Sequence, residues 1–350
     1  MTRFWFDVLT PKQVLLFKHI ISELKRKGHD VIATSRRYRE LEPIARMNSL
    51  ELIYVGERGG KDPLSQLVAD VKRTELIIPT VSEFKPDIAV SVASNVCARV
   101  AFGLGIKHIA INDSPHSIIA GRLSLPLSYH LFTPWVIPYR EWSIFGIKKK
   151  QITRYKALDP AAWLKRGITK GPIPALDEGK RTVVIRLEES FAPYMMGSRK
   201  DWIQKILGTA SERFNGMNIV VLCRYDEQYQ KVKERYGKEM VIPSEPVDSR
   251  HLLTKTDLFI GMGGTMTAES ALMGVPTIST FQGELYTESY LISKGLLFKA
   301  RDTKSLVSLA EKLLERKENT RIKKKAKKVL DEMEDPVQVI VSGLEKVIGN

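Results

Sequence analysis

The stretch from residue 256 to residue 280, TDLFIGMGGTMTAESALMGVPTIST, leaves a chain few ways to fold. An apolar run at 258–260 meets a turn carrying Gly261, Gly263 and Gly264, a helix-length segment follows from Thr265 to Met273, and a second apolar run begins after Gly274 and Pro276. Strand, helix and strand in so short a span make a βαβ unit, and buried parallel strands need helices on the faces of their sheet. A helix that opens from a glycine turn at a strand's carboxyl end presents unpaired N–H groups and a positive dipole end, which suits a phosphate. Glu269 lies four residues after Thr265, on the same helix face. The two are expected to face one crevice and hold the diphosphate and ribose hydroxyls of a nucleotide. Glycines in a βα turn also serve plain packing, where they supply only φ > 0 and close helix approach.

The rest of the chain repeats this alternation. Residues 3–9 (RFWFDVL) read as a buried strand, Thr10 as an N-cap with Pro11 at the first helical position, and Gly28 as the helix stop. Further strands are expected at 31–34, 50–55, 87–93 and 107–112, with helices at 40–47, 64–81 and 95–104. In the second half, strands are expected at 182–187, 218–223 and 240–242, and helices at 200–214, 227–236, 247–253 and 287–294. Helices at 303–315, 320–334 and 336–348 complete the chain. The pattern predicts an α/β protein of two doubly wound Rossmann-like domains facing across a cleft. Their expected bounds are 1–165 and 175–335, with the last helix, 336–350, packing back on the first domain.

At 350 residues the chain is long enough for two cores, and 43% apolar with 27% charged residues is an ordinary soluble composition. Cys97 and Cys223 read as reduced core thiols of a cytoplasmic protein, without the spacing of metal ligands. The apolar start is broken by Asp7, Pro11 and Lys12, so a secretory signal is not expected. The uncharged run at 123–139 carries Pro126, Pro134 and Pro138 and does not suit a spanning helix. A formal charge of +15 favours an anionic partner: nucleotide phosphates, acidic lipid headgroups or nucleic acid. Much of that charge crowds one stretch (Arg316, Lys317, Arg321, Lys323, Lys324, Lys325, Lys327, Lys328), which reads foremost as a solvated helix face.

Ligands of such sheets bind beyond the carboxyl ends of the strands, and the polar residues there are the site candidates. The first strand gives Asp7, Thr10, Lys12 and Gln13; the strand ending at Ala93 gives Ser94 and Asn95, with Asn95 a suitable helix cap. The strand ending near Ile111 gives Asn112, Asp113, Ser114 and His116. An imidazole titrates near neutrality and a nearby carboxylate raises its basicity, so His116 with Asp113 is the acid/base candidate; a turn aspartate beside a surface histidine is the alternative. His19, His29, His108, His130 and His251 show no such pairing. Arg186, at the end of an apolar run leading to Glu188, Glu189 and Ser190, suits bidentate pairing with a diphosphate or an edge salt bridge. The aromatic, proline-rich segment 123–145 reads as an interdomain cover, or as a lid or acceptor surface for a lipid-linked sugar, and 151–173 as the crossover between domains.

The segments RFWFDVLTPKQVLLFKHIISELKRKGHDV, NDSPHS, RYKALDPAAWL, GMGGTMTAESALMGVPTIST and GELYTESYLISKGLL together resemble domain-of-unknown-function family 354. That family is common in archaea and similar to GT-B glycosyltransferases and sugar-nucleotide 2-epimerases. The resemblance covers nearly the whole chain and implies a nucleotide in the C-terminal half and an acceptor or second substrate in the N-terminal half. It places Gly263, Gly264, Thr265 and Glu269 at the donor-binding turn, and Asp113 and His116 at the family's acidic residue and histidine. The family's first turn usually reads His-Pro-Ala-His; here Thr10 and Gln13 stand at the histidine positions, leaving His116 as the sole base.

Three functions follow as expectations. The first is a metal-independent glycosyltransferase, using a UDP-linked sugar, in which Arg186 and Lys12 neutralise the diphosphate and His116, oriented by Asp113, deprotonates the acceptor. Thr10, Gln282 and Glu284 are further expected donor contacts, and no metal or other cofactor is expected. The second is a UDP-N-acetylhexosamine 2-epimerase, with Asp113, His116, Glu188 and Glu284 around the sugar C2. The third is a non-catalytic protein that binds a nucleotide sugar or an anionic surface; no nucleic-acid module is visible, so nucleic acid is not an expected partner. A lipid-linked or polysaccharide acceptor and peripheral contact with the inner face of the membrane complete the expectations for a cytoplasmic protein.

Overall fold

The structure is a computed structural model that describes residues 1–37, 41–60, 62–168, 170–187 and 200–348. The chain divides into two compact units, Met1–Trp163 with Glu334–Asn350, and Leu164–Met333.

In the first unit, strands and helices alternate as β1 (Arg3–Asp7), α1 (Pro11–Arg26), β2 (Asp30–Arg37), α2 (Leu41–Met47), β3 (Ile53–Glu57), α3 (Pro63–Phe84) and β4 (Ile88–Ser91). They continue as α4 (Asn95–Gly103), β5 (Lys107–Ile111), α5 (Ile118–Ser124), β6 (His130–Pro134), α6 (Arg140–Ser143), β7 (Ile152–Tyr155) and α7 (Ala161–Leu164). The second unit contains β8 (Thr182–Arg186), α8 (Lys200–Arg213), β9 (Asn218–Leu222), α9 (Asp226–Tyr236), α10 (Ser249–Thr254), β10 (Leu258–Gly261) and α11 (Thr265–Leu272). After these come β11 (Thr277–Ser279), α12 (Tyr286–Ser293), β12 (Leu297–Lys299), α13 (Thr303–Leu313) and α14 (Arg316–Asp331); α15 (Pro336–Ile348) belongs to the first unit.

Both sheets are parallel. The first runs β3-β2-β1-β4-β5-β6-β7 and the second β12-β11-β10-β8-β9. A bridge between Val220 and Val241 sets one further residue pair beside β9. Counting that bridge as a vestigial strand, the second sheet has the same doubly wound order as the first, so each has a switch point where the winding reverses. The switch points are β1 beside β4 and β8 beside β10.

The local reasons are plain in the sequence. Phe4, Trp5 and Phe6 are wholly buried, as a central parallel strand covered on both faces requires. Pro11 begins α1, whose buried side chains Val14, Phe17, Ile21 and Leu24 recur at helical spacing. Val337, Ile340, Val341 and Leu344 of α15 are buried in the same unit, where Lys27 Nζ meets Glu345 at 2.7 Å. A Cβ on Gly343 would fall 2.3 Å from the Phe132 ring, so α15 lies over β6 only because that position is glycine. In the second unit, Ile322, Ala326 and Val329 are the buried stripe of α14, and its lysines are exposed.

Several expectations are revised. The aromatic segment 123–145 contains β6, paired with β5 and β7, and Phe132, Trp142 and Phe145 are core residues of the first unit. Within the supposed crossover 151–173 lies β7, an edge strand of only four residues (ITRY), too short and too polar to register as an apolar run. Strand 240–242 is reduced to the single bridge, and the helix near 95 is capped by Ser94 rather than Asn95. Among the described residues, no helix is long and apolar enough to cross a membrane.

Candidate functional site

The switch point of the second unit is built by glycines. Gly261, the last residue of β10, pairs in register with Arg186 of β8. A Cβ at Gly261 would fall 2.2 Å from Thr267 Oγ1 and 2.7 Å from the Phe259 ring, so only glycine lets α11 close on its own strand. Gly263 and Gly264 follow at φ of 88° and 84°, the left-handed region that L side chains avoid. Gly264 is the N-cap of α11 and has no side chain to cap it. The first backbone bond of the helix, Ala268 N–H to the Gly264 carbonyl, is 3.4 Å long. The N–H groups of Thr265, Met266 and Thr267 precede that bond, at the positive end of the helix dipole.

Arg186 is half-buried at the end of β8, and its Nη1 donates to the Cys223 carbonyl at 3.2 Å, on the β9 side of the strand. Gln282 and Glu284 are exposed on the loop after β11, and Gln282 Nε2 donates to the Thr280 carbonyl at 3.2 Å. Glu269 is more deeply set than Thr265: it is 2% exposed, and its Oε2 accepts a hydrogen bond of 2.9 Å from Ser249 Oγ at the start of α10. Glu288 is buried also, accepting from Ser279 Oγ at 2.8 Å. Glu188, together with Glu189 and Ser190, lies outside the described residues.

In the first unit the carboxyl edge of the sheet carries a polar cluster in which Asp159 and Tyr155 are buried and Lys12 and Asp113 half-buried. Lys12 Nζ lies 2.6 Å from Asp113 Oδ2 and 2.6 Å from Asp159 Oδ2, and Tyr155 Oη donates to Asp159 Oδ1. Asp113 Oδ1 accepts from Ser114 Oγ at 2.9 Å. Burial weakens an ammonium, yet the two carboxylates overcome that and raise the Lys12 pKa. Burial likewise pushes Asp113 up, but Lys12 and Ser114 hold it below the ordinary range. Asp159 ends above that range, because burial and the neighbouring Asp113 charge outweigh Lys12. Lys12, expected beside a diphosphate, is paired here with two aspartates of its own unit.

His116 is half-buried, and burial lowers its pKa, with Asp113 opposing and Lys12 assisting. It is a neutral imidazole at pH 7, the form that accepts a proton. The Asn112 Oδ1 bond to the Ser114 N–H, 2.8 Å, shapes the turn that carries it. Thr10 stands at the N-cap of α1 but its side chain makes no cap bond; Gln13 is 4% exposed, its Oε1 accepting from the Leu9 N–H at 2.6 Å. Asp7 is wholly buried, bound by Arg73 at 2.5 and 3.1 Å, Ser94 Oγ at 2.7 Å and Thr34 Oγ1 at 2.9 Å. His108 is structural: its ring nitrogens meet Ser91 and Ser128 hydroxyls, and burial pushes its pKa down to about 4.

A family model described as a protein of unknown function, DUF354, matches residues 2–348. The chain belongs to that family. An uncharacterized protein of Methanocaldococcus jannaschii is 27% identical over 325 residues, 88% of this chain and 90% of the relative. Among solved structures, a UDP-GlcNAc 2-epimerase from Neisseria meningitidis bound to UDP-GlcNAc superposes with a TM-score of 0.73 at 15% identity, covering 98% of this chain and 100% of that one. The spinosyn forosaminyltransferase SpnP gives 0.65 at 16% identity, covering each chain fully (100%). At such identities the likeness shows the fold: two Rossmann-like domains of the kind that GT-B glycosyltransferases and these epimerases share.

In this DUF354 protein, Gly261, Gly263, Gly264, Thr265 and Arg186 come together at one switch point, while Asp113 and His116 stand with Lys12 at the edge of the other sheet. Tyr155 and Asp159 were missed from the sequence. Tyr155 ends the unrecognised β7 and Asp159 follows it, and the signal that remained was an aspartate four residues beyond a strand-end tyrosine.

Proposed function

We propose that this protein is a metal-independent glycosyltransferase that takes its sugar from a UDP-linked donor. The observation that supports the reading most is the uncapped start of α11 at a sheet's switch point, with Arg186 ending the neighbouring strand in register with Gly261. Amides and a guanidinium placed there meet the charge that develops on a departing diphosphate, the transition-state group most in need of stabilisation. In the reaction, the acceptor hydroxyl passes its proton to neutral His116 and its oxygen attacks the anomeric carbon. The bond from that carbon to the diphosphate oxygen breaks, and UDP leaves with the electron pair. UDP is the nucleotide of choice because the Neisseria epimerase, on the same fold, was solved with UDP-GlcNAc. Calorimetric titration with UDP and UDP-sugars tests this: saturable binding supports it, and no heat at about 1 mM ligand, the weak end of specific affinity, contradicts it.

A second reading, a UDP-N-acetylhexosamine 2-epimerase, is favoured by one observation, the dense set of acid/base groups formed by Lys12, Asp113, Asp159 and Tyr155. Removing and returning a proton at the sugar C2 needs such paired groups. Incubation with UDP-N-acetylglucosamine in heavy water separates the readings, since only the epimerase places deuterium at C2. We place the protein in the cytoplasm, with a lipid-linked or polysaccharide acceptor at the inner face of the membrane. The exposed lysines of α14 favour anionic lipid there. Salt-dependent sedimentation with acidic vesicles checks that contact.

A further inference from the structure

The first unit carries an exposed surface that its core does not account for. α5 turns Gly121 and Ser124 inward, and a Cβ on Gly121 would fall 2.6 Å from the Phe145 ring, so the chain around Phe145 packs against this helix. The outward positions of α5 are aliphatic: Ile118, Ile119 and Leu123 keep 42%, 61% and 51% of their surface, and Ile144, next to Phe145 in the chain, keeps 62%. Ile119 and Leu123 are four residues apart and share one side of the helix, as Ile118 and Arg122 do. Single exposed aliphatics are ordinary, but four around one packing contact form a patch, and such patches mark contact with a partner or a membrane.

The charge along this part of the chain has one sign. From residue 114 to residue 158, seven lysines and arginines stand against a single acid, Glu141, whose Oε1 lies 3.4 Å from Arg140 Nε. Lys148, Lys149 and Lys150 are exposed, and their turn is tied to the chain just past α5 by Gln151 Nε2, which donates to the Tyr129 carbonyl at 3.1 Å. Tyr129 is itself 43% exposed, with Lys107 Nζ 5.1 Å from its ring centre. Aliphatic side chains bordered by an amphipathic tyrosine and lysines match a bilayer with anionic headgroups. There the aliphatics enter the acyl boundary, the tyrosine sits at headgroup level and the long lysines reach the phosphates. A second copy fits less well, because in a two-fold dimer the patch meets itself and the lysines of both copies are driven together.

We propose that the outer side of α5, with Ile144 and the lysines at 148–150, is the face by which the first unit lies on an anionic membrane. It deepens the membrane contact placed above at α14 by adding an apolar contact on the other unit. α5 begins two residues after His116, so a bilayer held on this side delivers a lipid-linked acceptor near the proposed base. That consequence rests on the transferase reading; the membrane face itself does not.

The test is co-sedimentation of the full chain with vesicles of phosphatidylcholine alone and of phosphatidylcholine mixed with phosphatidylglycerol, at low and high salt. Binding is expected with the mixed vesicles and not with the neutral ones. Lys148→Gln, Lys149→Gln and Lys150→Gln together are expected to weaken it about 10- to 100-fold at low salt. Ile119→Ser with Leu123→Ser is expected to weaken it at either salt, since apolar contact is not screened. The emission added by Ile119→Trp should move to the blue only when mixed vesicles are present. All these positions are exposed, so the variants should melt like the parent and keep its UDP affinity. Lys324→Gln with Lys327→Gln in α14 is the comparison. Binding lost in that pair and kept in both the lysine and the aliphatic variants of the first unit overturns the proposal while the contact through α14 stands. A parent that binds neither kind of vesicle overturns both contacts and leaves the donor reading to the UDP titration. Equal binding to neutral vesicles also overturns the proposal, because the lysines would then have no part. So does a dimer in sedimentation velocity that Ile119→Ser with Leu123→Ser dissociates, since a second copy would then cover the face.

Discussion

The two Rossmann units wind their strands in the same order and finish their switch points in opposite ways. Where β1 meets β4, side chains close the space: Asp7 carries Arg73, and Ser94 both donates to Asp7 and caps α4 by accepting from the Cys97 N–H at 3.2 Å. Where β8 meets β10, the residue in Ser94's place is Gly264, and α11 begins with no side-chain cap. The turn residue before each cap tells the same story, Ala93 at φ 48° in the first unit and Gly263 at φ 88° in the second. Topology supplies two switch points, and the identity of one residue determines which helix start carries a side-chain cap.

The largest expected effect breaks the first unit alone. Asp7→Ala leaves the buried Arg73 charge uncompensated and should cost about 3–5 kcal/mol in urea unfolding. Arg186→Ala, at the corresponding edge of the other sheet, should cost about 1 kcal/mol or less and show its effect in UDP affinity instead. The Asp7 carboxyl is resisted by burial but held below its ordinary pKa by Arg73, Ser94 and Thr34. Its stabilisation is thus fully present at neutral pH and lost as pH falls through and below the ordinary carboxylate range, which acid titration of the unfolding midpoint checks.

Next in size, His116→Ala should lower kcat by about 10²–10⁴ with UDP affinity kept, separating the chemistry of one unit from the binding of the other. Because the His116 pKa lies below its ordinary 6.5, the acid limb of kcat/KM should fall below that pH. Asp113→Asn, which removes the charge that supports the imidazolium, should move the limb lower still, as read from the rate profile or the imidazole proton shifts.

Smaller and sharper is a pair of glycine substitutions. Gly264 and Gly28 sit at φ 84° and 82°, each with room for a Cβ. Gly264→Ala and Gly28→Ala should each cost about 1–2 kcal/mol of backbone strain, but only the first should weaken UDP. The smallest change, Ser94→Ala, should cost about 1 kcal/mol through the lost cap and leave UDP binding as it was.

Much of this architecture was legible in advance because parallel strands buried on both faces read as apolar runs, and the strongest of them, RFWFD and LFIG, became the central strands β1 and β10 with their neighbours. The glycine turn was legible for a related reason, since close helix approach and positive φ restrict residue choice at Gly261, Gly263 and Gly264. What escaped was set by tertiary pairing. β7 is a short edge strand with Thr153 and Arg154 in it, and without that strand Tyr155 and Asp159 had no place in the first unit's polar cluster. The pairing of Lys12 was hidden for the same reason, because Asp113 and Asp159, on either side of it, are remote in sequence. Arg73, mid-helix and far from Asp7 in sequence, gave no signal of the buried ion pair.

Backbone amide shifts followed by NMR during a UDP titration test the central claim most directly. The account requires the largest diphosphate-dependent changes at Thr265, Met266 and Thr267, with the corresponding amides of α4, Asn95 to Cys97, unmoved. Saturable binding that leaves the start of α11 undisturbed, or that perturbs α4 instead, would contradict it.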